Sequence, residues 1–147
     1  MEKYTKFQIE FLKDEGIAQS QGIEDDKFVR FHDYKPYYPI NIIMIGVTCP
    51  NKNYKIFRNK AKHSVIEYIT AGSGYVVLPS GKKIKVKKGD FIYLRQGNCH
   101  NYFAEPNNPY GKTWVNFESF AFDSLADQIG VTDACVISCS AVGIYFD

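Results

Sequence analysis

Between Pro39 and Phe117 the sequence is cut into short β-branched and aromatic runs by turn signals too closely spaced to leave room for helices. The runs are Pro39–Thr48, Tyr54–Arg58, Ser64–Thr70, Gly74–Leu78, Lys82–Val86, Asp90–Arg95, His100–Ala104 and Lys112–Phe117. Between them lie Gly72-Ser73-Gly74, Pro79-Ser80-Gly81, Lys88-Gly89-Asp90 and Glu105-Pro106-Asn107-Asn108-Pro109. In the second of these, Pro79 can take position i+1 and Gly81 position i+3 of a type I turn, which closes a tight hairpin. Repeated short strands without intervening helices predict an antiparallel sandwich or barrel. The expectation is a mainly β, jelly-roll-type barrel with a closed apolar interior between about residues 39 and 117.

One segment has a different period. Phe122, Leu125, Ala126 and Ile129 fall at i, i+3, i+4 and i+7, the spacing of a helix with one buried stripe. Ser119 can cap its start and Gly130 follows its last apolar residue, so a helix is predicted near 119–129. Ala134–Phe146 returns to strand-like composition. The chain stops one residue later at Asp147, which reads as a cut at a domain edge. At the other end, Tyr4, Phe7 and Phe11 would line a helix face, while Phe7, Ile9 and Phe11 would alternate in a strand, and periodicity leaves both open. A chain of 147 residues is about one domain. It divides into an N-terminal arm or extension, 1–38, and a domain spanning 39–147.

Several function classes are excluded by what the chain lacks. A formal net charge of +2 offers no concentrated basic face for phosphates. Lys83, Lys85 and Lys87 alternate with Ile84 and Val86 and read, with Lys82 and Lys88, as the solvated face of one strand. Cys49, Cys99, Cys135 and Cys139 form no pair separated by two residues, so neither a zinc ribbon nor a thioredoxin motif is written here. No apolar stretch approaches transmembrane length. A cytoplasmic protein with reduced thiols, and no membrane partner, is the expectation. The serines lack a nucleophile-elbow glycine pattern. Glu24, Asp25 and Asp26 read as a surface run, not as an acid–base pair.

Two stretches carry a family resemblance. Gly89-Asp90-Phe91-Ile92-Tyr93-Leu94-Arg95-Gln96-Gly97-Asn98-Cys99-His100 resembles the second cupin motif: a glycine, five residues, a proline, one residue, a glycine, two residues and a histidine. Only the proline departs, its place taken by Arg95. The second stretch is His100-Asn101-Tyr102, Asn108-Pro109-Tyr110 and Trp114-Val115-Asn116-Phe117, which resembles the end of the sensor domain of AraC-type transcription regulators. Met44–Thr48, Tyr54–Arg58 and Tyr68–Gly74 fit the same family in the same order. The resemblance covers roughly residues 39–130. It implies a cupin-like barrel that binds a small effector, commonly a sugar, and controls DNA binding by a C-terminal helix-turn-helix domain for which this chain has no room. No cofactor is implied, and the resemblance leaves homodimerisation open.

Arg58 shares a strand face with Tyr54 and Ile56, and its guanidinium offers fixed donors suited to hydroxyls or a carboxylate. Pattern alone equally allows a surface arginine closing a strand; the matching arginine of the family reaches the effector. Tyr102 and Trp114 match ligand-touching positions of the family, where aromatic faces stack on a sugar, although core packing accounts for many such aromatics. His100 lies on the face of Tyr102, and Thr48 and Lys112 also match pocket positions. The competing reading is a small metal-dependent cupin enzyme, an isomerase or dioxygenase, with His63, Glu67 and His100 as ligands. Spacing from His63 through Glu67 to Gly74 satisfies part of that motif. Gly72 is the better match to the motif's glycine, however, and that register puts Val65 where the glutamate belongs and Ala61 where its partner histidine belongs. No metal and no enzymatic activity are therefore expected. A stand-alone carbohydrate-binding barrel is the third class.

Overall fold

A computed structural model describes residues 17–23, 26–31 and 37–138. The N-terminal helix-or-strand question, Cys139 and the end of the Ala134–Phe146 run lie outside these residues. The strands are β1 (Ile17–Gln21), β2 (Lys27–Arg30), β3 (Asn41–Thr48), β4 (Lys55–Arg58), β5 (Ser64–Ala71), β6 (Ser73–Val77), β7 (Lys83–Lys87), β8 (Phe91–Leu94), β9 (His100–Ala104), β10 (Gly111–Glu118) and β11 (Ala134–Ile137). A single helix, α1 (Phe120–Gln128), precedes β11. No helix among the described residues is long and apolar enough to cross a membrane.

The strands form two antiparallel sheets, ordered β1-β4-β9-β6-β7 and β11-β8-β5-β10-β3-β2. This is the jelly-roll arrangement that the sequence predicts. It differs from the expectation in that hydrogen bonding does not close the barrel: each sheet keeps two edges. The segment expected as an N-terminal arm supplies an edge strand to each, β1 beside β4 and β2 beside β3.

Local chemistry explains the corners. The Gly81 N–H donates to the Leu78 carbonyl at 2.8 Å, closing the type I turn over Pro79 and Ser80. Gly81 then takes φ +82°, and Leu78 N–H pairs with the Lys82 carbonyl at 2.9 Å. A side chain resists that left-handed conformation, which is why glycine follows the turn here. Period-two burial sends Met44, Val65, Ile69, Val76, Val86 and Ile92 between the sheets, each contributing about 1.5–3 kcal/mol of hydrophobic stabilisation. Lys83, Lys85 and Lys87 stay exposed on the outer face of β7, with Val86 buried beneath.

The helix is capped as its sequence dictates: the Ser119 hydroxyl accepts from the Phe122 N–H at 2.9 Å. Its stripe is only half covered, contrary to expectation. Phe122 and Ala126 pack on Tyr93 and Phe117 of the six-stranded sheet, whereas Leu125 and Ile129 remain 53% and 68% exposed. The sheet is contacted along the line of Phe122 and Ala126; Leu125 lies to one side of it, and Ile129 is the C-cap beyond the last helical residue.

Arg95, standing where the cupin motif has proline, explains how the helix is held. Its backbone N–H donates to the Asp133 carbonyl at 2.9 Å, a bond proline cannot make. Its guanidinium grips both Asp127 oxygens and also donates to the Val131 carbonyl at 3.4 Å. Asp123, 3.9 Å away, completes the cluster and accepts from the Tyr93 hydroxyl at 3.3 Å. Asp123 and Asp127 are therefore engaged by Arg95.

Candidate functional site

The interior is not wholly apolar, which corrects the second half of the barrel expectation. Strand alternation turns Arg58, Glu67, His100 and Lys112 inward, from β4, β5, β9 and β10, and all four are buried. Pairing of β4 with β9 sets Arg58 opposite His100, and pairing of β5 with β10 sets Glu67 opposite Trp114. Three of the four, Arg58, Glu67 and Lys112, converge on a cavity of about 10 Å3, whose walls also include Tyr102, Trp114 and Asp26. Ile17 of β1 also lines it.

Every polar group here has to find a partner, because an unsatisfied one costs about 1–3 kcal/mol when buried. Lys112 Nζ donates to Glu67 Oε1 at 2.6 Å. The ammonium lies 4.2 Å from the Tyr102 ring centre, 5.0 Å from Tyr54 and 5.3 Å from Tyr110, a box of aromatic faces. Arg58 donates to the Tyr102 hydroxyl. Trp114 Nε1 donates to Thr48 Oγ1 at 3.2 Å, and the Thr48 hydroxyl passes the chain on to Asp26 at 3.2 Å. Among the described residues, Glu67 Oε2 and the Tyr110 hydroxyl keep unused hydrogen-bonding capacity.

Burial governs the titration of these groups. It pushes the Tyr54, Tyr102 and Tyr110 phenols well above the usual tyrosine range. It lowers the Lys112 pKa below that of an ordinary lysine, against the opposing pull of Glu67. His100 falls to about 4, through burial first and the neighbouring Arg58 charge second. Neutral His100 then donates through Nε2 to the Arg95 carbonyl, 2.6 Å away.

Trp114 owes its place to Gly46. The two residues pair across β10 and β3, and a Cβ on Gly46 would overlap the indole ring. Phe28 of β2 packs nearby, ring centres 6.2 Å apart.

Of the residues singled out from sequence, Arg58, Tyr102, Lys112 and Trp114 line one cavity, Thr48 bonds to the fourth of them, and His100 stands opposite the first across β4 and β9. The metal set is not brought together. Glu67 is spent on Lys112, and His63 Nδ1 lies 3.0 Å from Glu118 instead. No cluster of three or more His, Cys, Asp or Glu suited to a metal occurs among the described residues. Sequence reasoning missed Asp26, read as part of a surface acidic run, yet it lines the cavity. It also missed Glu67 as an interior ion; the signal was there, a carboxylate between Val65 and Ile69 on the buried face of a strand.

These features define a cupin-like jelly roll with a polar interior. YhaK from Escherichia coli has a similar fold, at a TM-score of 0.58 and 10% identity over 79% of this chain and 52% of that one. The chain thus spans about half the length of YhaK. A cupin protein from Bacteroides fragilis (TM-score 0.48, 16% identity, 70% and 86% covered) and the polyketide cyclase RemF from Streptomyces resistomycificus (0.46, 14%, 85% and 92%) are more distant in shape. No curated protein matches in sequence. The AraC-like ligand binding domain model matches residues 46–144, and the chain belongs to that family.

Proposed function

We propose that this chain is the effector-sensing module of an AraC-type transcription regulator, taking a small uncharged polyol, a sugar, between its two sheets. The observation that carries the reading is the buried set of Arg58, Tyr102, Lys112 and Trp114 around one cavity in a member of a ligand-binding family. Arg58 and Tyr102 supply donors, Trp114 an apolar face, and Thr48 holds the indole in place. The charges on the wall balance, Arg58 and Lys112 against Asp26 and Glu67. A neutral ligand leaves that balance intact, whereas an anion would add an uncompensated charge to a dry interior. The open acceptor on Glu67, on the cavity wall, fits a ligand hydroxyl that donates to it.

In this reading the module works in the cytoplasm. The sole helix among the described residues, α1, contains no lysine or arginine to meet phosphates, so this reading assigns sequence-specific DNA binding to recognition helices outside the sensor module. Ligand changes the packing of the N-terminal segment or of α1 through different affinities for two states. The geometry that a metal-dependent enzyme needs, His63 and Glu67 converging with His100, has no support among these contacts.

The test is a thermal-shift screen of neutral pentoses and hexoses, followed by titration of any stabilising sugar into Arg58→Ala. Affinity should fall by roughly 1.5–3 kcal/mol, the range for a hydrogen bond to a charged group. Fluorescence of the single tryptophan should change on binding. Unchanged affinity of Arg58→Ala together with a silent Trp114 sinks the site assignment.

A further inference from the structure

Lys112 is the one buried amine among the described residues; every other described lysine is exposed. It stands on the wall of the interior cavity, where its surroundings give an ammonium little support. Among the described residues, its three N–H groups find a single acceptor, Glu67 Oε1. The other groups around Nζ are the ring faces of Tyr54, Tyr102 and Tyr110. Glu67 Oε2, on the same wall, is buried without a hydrogen-bond partner. An exposed lysine is neutral in on the order of one molecule in a thousand at pH 7. Burial makes Lys112 give up its proton more readily than that. A neutral amine is a nucleophile, and the carboxylate that can take its proton is already in hydrogen-bond contact.

From this arrangement we infer that Lys112 holds a small aldehyde, such as the open-chain form of a reducing sugar, as a reversible imine. Such an adduct rests on the reading of the interior cavity as the ligand site, and it narrows the ligand to one with a free carbonyl. Glu67 first takes a proton from the ammonium, which frees the Nζ lone pair to bond the carbonyl carbon. The carbonyl oxygen collects two protons that began on Nζ, relayed through Glu67, and leaves as water while the nitrogen lone pair closes the C=N double bond. Ammonium and aldehyde thus become iminium and water, with no oxidation or reduction and no change in net charge. The iminium keeps its charge beside Glu67 and among the same ring faces, so the balance of charge on the wall survives. Space favours the same chemistry. The cavity has room for one water molecule at most. A carbon bonded to nitrogen lies about 1.5 Å from it, against roughly 3.5 Å for a nonbonded contact, so a ligand that bonds needs less new room than one that only touches.

Reductive trapping in the native full chain tests the adduct and needs no substitution. Glycolaldehyde, the smallest hydroxyaldehyde, is added with cyanoborohydride at about pH 7, and the modified lysines are mapped by peptide mass spectrometry. Lys112 should acquire the hydroxyethyl group about tenfold faster than the exposed Lys83, because a larger share of it is neutral at this pH. In guanidinium chloride that preference should vanish. Label spread over the exposed lysines with Lys112 untouched overturns the inference, and so does a preference that persists after unfolding. A methyl glycoside, which has no free carbonyl, separates this inference from the sugar-sensing reading. If it raises the melting temperature as much as the free sugar does and Lys112 stays unlabelled, the imine is overturned and the sugar site stands. If no sugar raises it and glycolaldehyde is still trapped on Lys112, the sugar reading falls and the imine site remains.

Discussion

Lys112 Nζ and Glu67 Oε1 stand 2.6 Å apart with both side chains almost wholly withdrawn from water. Neither charge can be left behind safely. Glu67→Leu and Lys112→Met should each destabilise the fold by about 3–5 kcal/mol, because each strands its partner in the interior. The double substitution Glu67→Leu with Lys112→Met should cost far less than the two single losses combined. Urea denaturation of the variants measures this; additive losses would mean that the pair is not a unit.

Stability should respond to His100. Its folded pKa of about 4 lies below the unfolded value near 6.5. The unfolded chain therefore binds the extra proton between those values. The contribution of neutral His100 is complete above pH 6.5 and is lost as the pH falls towards 4, amounting to about 3 kcal/mol at most. His100→Gln retains a donor for the Arg95 carbonyl without the titration, so its stability curve should be flatter over that window. Parallel curves for the two proteins would remove His100 as the cause.

Arg95 should hold the C-terminal elements to the barrel. In Arg95→Ala the amides of α1 and β11 should exchange with solvent roughly tenfold faster, in line with the loss of charge-assisted hydrogen bonds. Those of β4 and β9 should not change. Arg95→Pro, which restores the usual motif residue, should be worse than alanine because it also removes the N–H that reaches Asp133. Uniform acceleration across the whole chain would instead make Arg95 a global stability residue.

Gly46 is where Trp114 is most readily tested. Gly46→Ala should cost about 1–3 kcal/mol by overpacking against the indole. The smaller ring of Trp114→Phe should recover part of the loss in the double variant. Calorimetry on the four proteins checks this, and no recovery would place the strain elsewhere.

Most strands were legible because one residue in two carries the pattern. The run at His100–Ala104 has the same limits in the structure, and Tyr54, Ile56 and Arg58 share a buried face as alternation requires. β1 and β2 escaped notice because Ala18-Gln19-Ser20-Gln21 and Lys27-Phe28-Val29-Arg30 are short, mostly polar edges, made into strands by the neighbours they pair with. The Glu67–Lys112 pair was hidden for another reason. Its members are 45 residues apart, and only the register of β5 against β10 brings them together. The half-covered stripe of α1 shows the same limit: periodicity tells which residues share a face, and the tertiary arrangement decides how much of it is covered.

A cavity of about 10 Å3 has room for one water molecule at most, so an organic ligand has to compete with the protein's own side chains for the space. Apparent affinity is then the intrinsic affinity multiplied by the fraction of molecules that happen to be open. Association should accordingly level off at high ligand concentration, its ceiling set by the rate of opening. Trimming a wall residue that makes no polar contact, as in Ile17→Ala, should weaken the fold yet tighten binding. In such a protein, a variant selected for greater thermal stability would pay with a duller response to its effector.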